Sequence, residues 1–278
     1  MPKSKKNLYI LAAAALFLIL ATLYFLFVFQ RSPQSPKVDR SMFEVKPITD
    51  VETAKRPFVT LTPTAPGSEI IISIENMAEF ENIEYELTYL ADNPQIPGEK
   101  IQRGSTGTDV DTKAPKYKKS MLLGTASRGV SNPDRGIEDG KLTLHMFKGN
   151  IEYQSQTPWY LLEVGLTNTQ ISTPDGNMVI KIPKLTKDYF VILTETVGIP
   201  PNSEADINKI EVPIYGTFSI LPKFTPKADL AIKTQAKDAK LSIYNSQEGA
   251  WGNIDSAQTG DTIKAKIEML STFVVVSQ

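Results

Sequence analysis

Residues 121–147, MLLGTASRGVSNPDRGIEDGKLTLHMF, contain the residue types that could do chemistry. Ser127 is followed closely by Arg128, Asp134 and Arg135, a combination that could form a hydrolase site. A serine nucleophile also needs a histidine or lysine base within hydrogen-bond reach. The chain contains neither S-x-x-K nor G-x-S-x-G, the patterns of two serine-enzyme classes. We therefore predict no catalytic residue and interpret the segment as a connection between β-strands.

The acidic residues of the same loop could instead hold calcium. Hard oxygen donors surround Gly136 at Asn132, Asp134, Glu138 and Asp139. A calcium loop of the EF type needs donors at alternate positions and a late glutamate, and Pro133 and Arg135 interrupt that pattern. The composition favours a solvated turn. Calcium in 132–139 stays an open alternative, and no metal or cofactor is predicted.

The chain has one histidine, His145, and no cysteine. This composition excludes disulfides, cysteine nucleophiles and zinc sites of the Cys/His type. In KLTLHMF, strand alternation puts His145 on one face with Thr143 and Phe147, opposite the leucines. We predict no catalytic or metal-binding role for His145.

Carboxylates are the remaining route to catalysis. The 31 acidic residues offer many pairs that could hydrolyse a glycosidic bond, and the separation of such a pair is a three-dimensional property. The two tryptophans have structural interpretations, because Trp159 lies in the strand-like TPWYLLEV and Trp251 precedes the turn GNIDS. We predict a protein that is not an enzyme, and a hydrolase of cell-wall glycan is the alternative.

The charge balance bears on partners. With 30 basic and 31 acidic residues the formal net charge is −1, so no long-range field attracts nucleic acid. Four lysines surround Tyr117, namely Lys113, Lys116, Lys118 and Lys119. They fit an edge strand guarded by charge, and contact with anionic polymer or lipid headgroups is the alternative.

The N-terminal region predicts a membrane anchor. Residues 8–29 carry no charge over 22 positions, which is enough for a helix to cross a hydrocarbon core of about 30 Å. Aromatic residues such as Tyr24 and Phe29 occupy the end where a signal peptide would have small residues. We predict a cytoplasmic tail over 1–7 and an uncleaved transmembrane helix over 8–30.

The flanking charges predict the orientation of this helix. Lys3, Lys5 and Lys6 precede it within six positions, whereas the basic residues after it are spread over ten positions. The more basic flank stays in the cytoplasm, so the chain after residue 30 is predicted to be extracytoplasmic. Prolines and polar residues over 31–56 indicate a stalk.

The rest of the chain predicts an all-β fold. Short β-rich runs such as EIIISIE, IEYELTYLA and YFVILTETVG are separated by Gly, Pro, Asn and Asp. No stretch after residue 30 has helical periodicity over three turns. We predict two tandem antiparallel β-sandwich domains over 57–166 and 167–278. The run STFVVV should be a core strand beside DTIKAKIE, with Trp251 near it.

Two segments carry most of a resemblance to a known group, RPFVTLTPTAPGSEIIISIENMAEFENIEYELTYLA (56–91) and LLGTASRGVSNPDRGIEDGKLTL (122–144). On these segments, residues 56–220 resemble uncharacterised membrane-anchored envelope proteins of small uncultivated bacteria. Many members have cysteines where this chain has Ala126 and Ser131. The resemblance implies that these two positions are close enough for a disulfide. It implies no reaction.

The C-terminal part has a second resemblance. Its motifs are P-x-Y at Pro213, F-x-x-x-A-x-L from Phe224 to Leu230, and AWGNIDSAQTGDTIKAKIEMLSTFVVV (250–276). They resemble the β-sandwich of bacterial surface, ankyrin and netrin-receptor proteins, although Met269-Leu270 stands where members usually have His-Phe. The resemblance implies surface display and protein contact.

Together these features predict a single-pass envelope protein whose ectodomain serves binding or structural display at the cell surface. The expected partners are the membrane, through the anchor, and a protein or cell-wall polymer, through the ectodomain. Nucleic acid is not an expected partner.

Overall fold

The computed structural model describes residues 42–127, 129–201, 209–211, 213–221, 223–246 and 248–277. The predicted cytoplasmic tail, the transmembrane helix over 8–30 and the first part of the stalk lie outside these residues. Within the described ranges, no helix has the length and apolar character needed to cross a membrane.

The described chain is all-β, which confirms the predicted fold class at that level. Among the described residues, two short 3-10 helices, Ile48–Asp50 and Thr53–Lys55, accompany twenty strands. The first ten strands are β1 (Glu44–Pro47), β2 (Phe58–Pro63), β3 (Glu69–Glu75), β4 (Asn82–Asp92), β5 (Lys100–Val110), β6 (Lys116–Leu122), β7 (Gly124–Ser127), β8 (Val130–Pro133), β9 (Glu138–Lys148) and β10 (Ile151–Val164). The others are β11 (Gln170–Ser172), β12 (Met178–Lys181), β13 (Tyr189–Glu195), β14 (Tyr215–Phe218), β15 (Ala228–Lys233), β16 (Lys240–Asn245), β17 (Ala250–Asn253), β18 (Ser256–Thr259), β19 (Thr262–Ile267) and β20 (Thr272–Val276).

These strands form several sheets. The long sheet has ten strands in the order β17-β16-β20-β14-β13-β10-β9-β4-β5, with β1 beside β10. β1 runs parallel to β10. The five-stranded sheet has the order β11-β12-β15-β19-β18, and the three-stranded sheet has the order β2-β3-β6. β7 and β8 form a separate hairpin.

Two apolar clusters lie on opposite faces of the long sheet. The first cluster takes residues from β2, β3, β4 and β9 and includes Ile192 of β13. The second cluster takes residues from β12, β15, β16 and β19 and includes Val191 and Leu193 of β13. Successive side chains of a strand point to opposite faces, so β13 serves both clusters. The three-stranded sheet therefore covers one face, and the five-stranded sheet covers the other.

Residues Phe43–Gln278 form one compact unit. The predicted boundary between residues 166 and 167 falls in the connection between β10 and β11. Because β10 pairs with β13 in the long sheet, strands from both predicted domains contribute to the same sheet. The division into domains 57–166 and 167–278 stays a prediction.

The alternation predicted for IEYELTYL and KLTLHMF is confirmed. Ile83, Tyr85 and Leu87 of β4 are buried in the first cluster. The matching residues of β9 are Leu142, Leu144 and Met146. The intervening residues face the other side of the sheet, where His145 lies.

STFVVV is a core strand, as predicted, but the prediction of its neighbour is wrong. Residues 273–275 of β20 are buried, and β20 pairs with β14 and β16. DTIKAKIE contains β19, which lies in the five-stranded sheet. Ile267 and Phe273 both belong to the second cluster, so the connection between β19 and β20 crosses from one sheet to the facing one. Trp251 packs against the small cluster of Ile199, Ile214 and Val274 and thus lies near β20, as predicted.

Candidate functional site

Several connections meet at one end of the first cluster, here called the loop end. They are the β2–β3 turn (64–68), the β4–β5 turn (93–99), the hairpin of β7 and β8, and the segment 134–137 that leads into β9. Leu123 N donates to Ser68 O at 2.8 Å, and Asp92 N donates to Arg135 O at 2.8 Å. Connections that are distant in sequence are thereby joined through their backbones.

Lys100, the first residue of β5, holds the segment 134–137 in place. Its Nζ donates to Gly136 O at 2.7 Å and lies 3.1 Å from Asp92 and 3.2 Å from Glu138. The hydrogen bond to Asp92 raises the pKa of Lys100, so its ammonium group stays charged. Gly136 has φ 59°, and a Cβ there would collide with the Asp92 carboxylate. The positive φ and this close contact both favour glycine at this position.

Asp134 anchors the same segment from inside. Its Oδ2 accepts the Tyr89 hydroxyl at 2.9 Å and lies 3.5 Å from Arg103 Nε, with only 8% of the Asp134 side chain exposed. Burial raises the pKa of Tyr89, and the hydrogen bond to Asp134 raises it further, so the phenol remains a donor. Asp134 N also donates to Leu123 O at 2.9 Å. The segment is thus fixed to β4 and β5 of the long sheet and to Leu123, the residue that follows β6.

A cleft of about 500 Å³ opens between the segment 134–137 and the β2–β3 turn. It is lined by Pro66, Gly67, Ser68, Pro133, Asp134, Arg135, Gly136, Ile137, Leu161, Glu163 and Phe190. A Cβ at Gly67 would collide with the Phe190 ring, so the backbone of the turn packs directly on that ring. The cleft combines an apolar wall with charged groups at its rim.

The hairpin of β7 and β8 is exposed along most of its length. Val130, beside its tip, is 61% exposed. Ala126 and Ser131 are direct cross-strand partners, and such partners have Cα atoms about 4.5–5.5 Å apart. This separation is within the range that a disulfide spans. The predicted proximity of the two positions is confirmed.

The structure does not bring the suggested hydrolase residues together. Ser127 is exposed near the hairpin tip, Arg128 lies outside the described residues, and Asp134 is buried against Tyr89. The acidic groups of 132–139 also contact different cations, because Asp134 faces Arg103 and Glu138 faces Lys100. Within the part of the chain that the structure describes, no cluster of three or more histidine and carboxylate groups could hold a metal ion.

His145 lies in a buried polar group that the sequence interpretation missed. Its Nδ1 is 2.6 Å from Glu152 Oε1, and both residues are buried. Its Nε2 is 3.9 Å from Glu86 Oε1. The signal was present in the hairpin FKGNIE, because a two-residue turn puts Phe147 opposite Glu152 and brings His145 diagonally near it. His145 and Glu152 are buried on one face of the long sheet, and neither residue lines the cleft.

The tryptophans and the lysine-rich stretch occupy structural positions. Trp159 is buried in the first cluster, and Trp251 Nε1 donates to Pro201 O at 3.0 Å. Lys116 and Lys119 lie in β6, at an edge of the three-stranded sheet. They lie 2.8 Å from Glu75 and 2.9 Å from Asp109, respectively. The prediction that these lysines belong to an edge strand is confirmed.

A second concave surface lies on the outer face of the five-stranded sheet. It encloses about 600 Å³ above small side chains such as Ala231 and Ala257. Asp229 of β15 lies opposite Lys181 of β12 on one side and opposite Lys266 of β19 on the other. Lys266 Nζ lies 2.6 Å from Asp229 Oδ1. Asp229 and Lys266 therefore form an ion pair on this surface.

Comparison with known proteins adds no relative to these observations. No protein-family model matches the chain, and no curated protein matches it. The candidate site therefore rests on geometry.

Proposed function

We propose that this chain is a non-enzymatic, single-pass envelope protein with an extracytoplasmic binding ectodomain. Two tandem antiparallel β-sandwiches, over 57–166 and 167–278, form the ectodomain. The partner is a protein or a cell-wall polymer, and it binds at the loop end of the first sandwich. Nucleic acid is not a partner, because the formal net charge is −1.

The loop end has a rigid support beneath an accessible surface, and this feature carries the proposal. Lys100 and Asp134 hold the segment 134–137 to the strands beneath it. The cleft and the exposed hairpin of β7 and β8 lie next to each other above these strands. Binding residues are commonly found on loops that a rigid scaffold positions, and fixing such loops in advance lowers the entropic cost of binding.

The anchor and its orientation are part of the proposal. An uncharged run over 8–29 has the length of a transmembrane helix, and the denser lysines before it favour a cytoplasmic N-terminus. Protease added to intact spheroplasts should then degrade the ectodomain. Full protection would reverse the orientation, and a mature N-terminus near residue 30 would remove the anchor.

Retention on isolated bacterial cell walls tests the binding function. Full-length protein in detergent should sediment with the walls and release no soluble glycan fragments. Val130→Asp, at a position that is 61% exposed on the hairpin, should reduce retention severalfold. Ile220→Asp is the matched control, because Ile220 is 46% exposed outside the loop end.

The outcomes separate the two functions. Release of glycan fragments would support the alternative, a membrane-tethered hydrolase acting through Asp or Glu. Equal loss of retention in both variants would show that the loop end is not the binding surface. Absence of retention would leave a protein partner, which capture of the intact protein from its own envelope would identify.

A further inference from the structure

Two charged side chains at the cleft have no ionic partner. Arg135 and Glu163 both line the cleft and are exposed. Within the described ranges, neither side chain forms an ion pair or hydrogen bond. Lys100, by contrast, contacts both Asp92 and Glu138. Arg135 and Glu163 therefore remain available to an external ligand.

The backbone near Arg135 is fixed although its side chain is not engaged. Arg135 O accepts Asp92 N at 2.8 Å, and Gly136 O accepts Lys100 Nζ at 2.7 Å. Glu163 belongs to β10, where it pairs with Phe190 of β13. Both charges are thus carried by ordered backbone, which is a requirement for selective binding.

The wall beside these charges is apolar. Leu161 and Phe190 are half-buried and line the cleft with Ile137. The volume of about 500 Å³ is within the range of pockets that enclose small ligands. A ligand that fits would have one anionic end, one cationic end and a small apolar body between them.

We infer that the cleft binds a short zwitterionic peptide. Its terminal carboxylate pairs with the Arg135 guanidinium, which presents donors in a bidentate fork. Its ammonium group pairs with the Glu163 carboxylate, and its aliphatic side chains pack on Leu161 and Phe190. This inference rests on the proposed function, in which the loop end is the binding surface. Free peptides and the peptide stems of a cell wall share this chemistry.

Calorimetric titration of the full-length protein in detergent tests the inference with four probes. They are trialanine, trialanine amide, N-acetyl-trialanine and N-acetyl-trialanine amide. Trialanine should bind most tightly. Blocking either end removes one charge-assisted hydrogen bond, so each singly blocked peptide should bind at least about tenfold more weakly.

Two variants assign the ends of the peptide. Arg135→Gln should weaken trialanine binding about tenfold and leave trialanine amide unaffected, because the amide has no carboxylate to lose. Glu163→Gln should do the same for trialanine and leave N-acetyl-trialanine unaffected. Glu248→Gln, at an exposed carboxylate outside the loop end, is the control and should bind trialanine like the parent protein.

Three results would overturn the inference. They are equal affinity for all four peptides, unchanged trialanine binding in both variants, and no trialanine binding at millimolar concentration. Retention on cell walls without trialanine binding would leave the proposed function intact, and loss of both would remove both. Where trialanine binds, displacement of the protein from cell walls by trialanine would identify wall stems as the source. Binding without displacement would identify free peptides.

Discussion

The two halves of the described chain bury different kinds of polar group. Among the described residues, the buried carboxylates and the buried histidine are Glu84, Glu152 and His145, on β4, β10 and β9. The buried polar residues of the C-terminal half are serines and threonines. Thr217 and Ser219, for example, donate to the carbonyl oxygens of Ser271 and Phe190 at 3.1 and 2.7 Å.

The two kinds of buried group differ in what they require from their surroundings. A buried hydroxyl that donates to a nearby carbonyl costs little, whereas a buried carboxylate or imidazole needs a specific partner. The first half contains such groups, and β4, which carries Glu84, also carries Tyr89, whose hydroxyl donates to Asp134 at the loop end. In the second half, the buried hydroxyls of Thr217, Ser219 and Ser271 donate to backbone carbonyl oxygens instead.

Deleting residues 272–278 should have the largest effect on this comparison. The deletion removes β20 from between β14 and β16. Each buried phenylalanine or valine side chain stabilises by about 1.5–3 kcal/mol, so the loss of Phe273, Val274 and Val275 is on the order of 5–9 kcal/mol. That is comparable with the whole free energy of unfolding of a domain. The second cluster should unfold.

Trp159 reports whether the first half survives this deletion, because it is buried in the first cluster. In a Trp251→Phe background, the emission of Trp159 should stay native after truncation if the predicted division into domains is correct. The full-length Trp251→Phe protein is the control. Simultaneous loss of the Trp159 signal would show that β13 makes the two halves one cooperative unit.

Asp134→Ala should have the next largest effect. The substitution leaves the Tyr89 hydroxyl without its acceptor and Arg103 without its counter-ion, at a cost of about 2–4 kcal/mol in the free energy of unfolding. Asp229→Ala is the matched control in the second half. Its pair with Lys266 is exposed, so its loss should cost under about 1 kcal/mol. If urea denaturation gave equal losses in the free energy of unfolding for the two variants, the halves would not differ in how strongly they depend on a charged pair.

The faces of the strands could be predicted from the sequence, but their partners could not. Alternation in IEYELTYL identified the buried side of β4, and a short turn could have related His145 to Glu152. Tyr89 and Asp134, in contrast, are 45 positions apart. The β20 strand is apolar on both faces, so its pattern fits either sheet, and its pairing with β16 depends on tertiary packing. The cleft is likewise assembled from segments that are distant in sequence.

A disulfide introduced by Ala126→Cys and Ser131→Cys should stabilise the loop end more modestly. The positions are direct cross-strand partners, and closing so short a loop contributes at most about 2 kcal/mol in the chain-entropy model. Thiol titration should find no free cysteine after mild oxidation, and the oxidised protein should melt higher than its reduced form. Persistent free thiols would contradict the register of β7 and β8.

The smallest effect expected is the acid dependence contributed by Asp109, which joins the edges of β5 and β6. The hydrogen bond from Lys119 lowers the pKa of Asp109, and one from Tyr117 adds to it. A lowered folded-state pKa means that the stabilisation is present above the unfolded value of about 3.9. It is lost as the pH falls through the lower folded value.

Asp109→Asn should therefore reduce stability by under about 1 kcal/mol at neutral pH and flatten the loss of stability below about pH 4. Glu268→Gln is the counterpart in the second half, because Lys227 likewise lowers the pKa of Glu268. That pair is exposed on both sides, whereas Asp109 also accepts Tyr117, whose hydroxyl is 3.3 Å from that of the buried Tyr85. Melting temperatures between pH 2.5 and 7 should consequently change more for Asp109→Asn than for Glu268→Gln. The opposite order would show that Tyr117 and Tyr85 do not strengthen the ion pair between Asp109 and Lys119. The contrast between the two halves would then be limited to their buried residues.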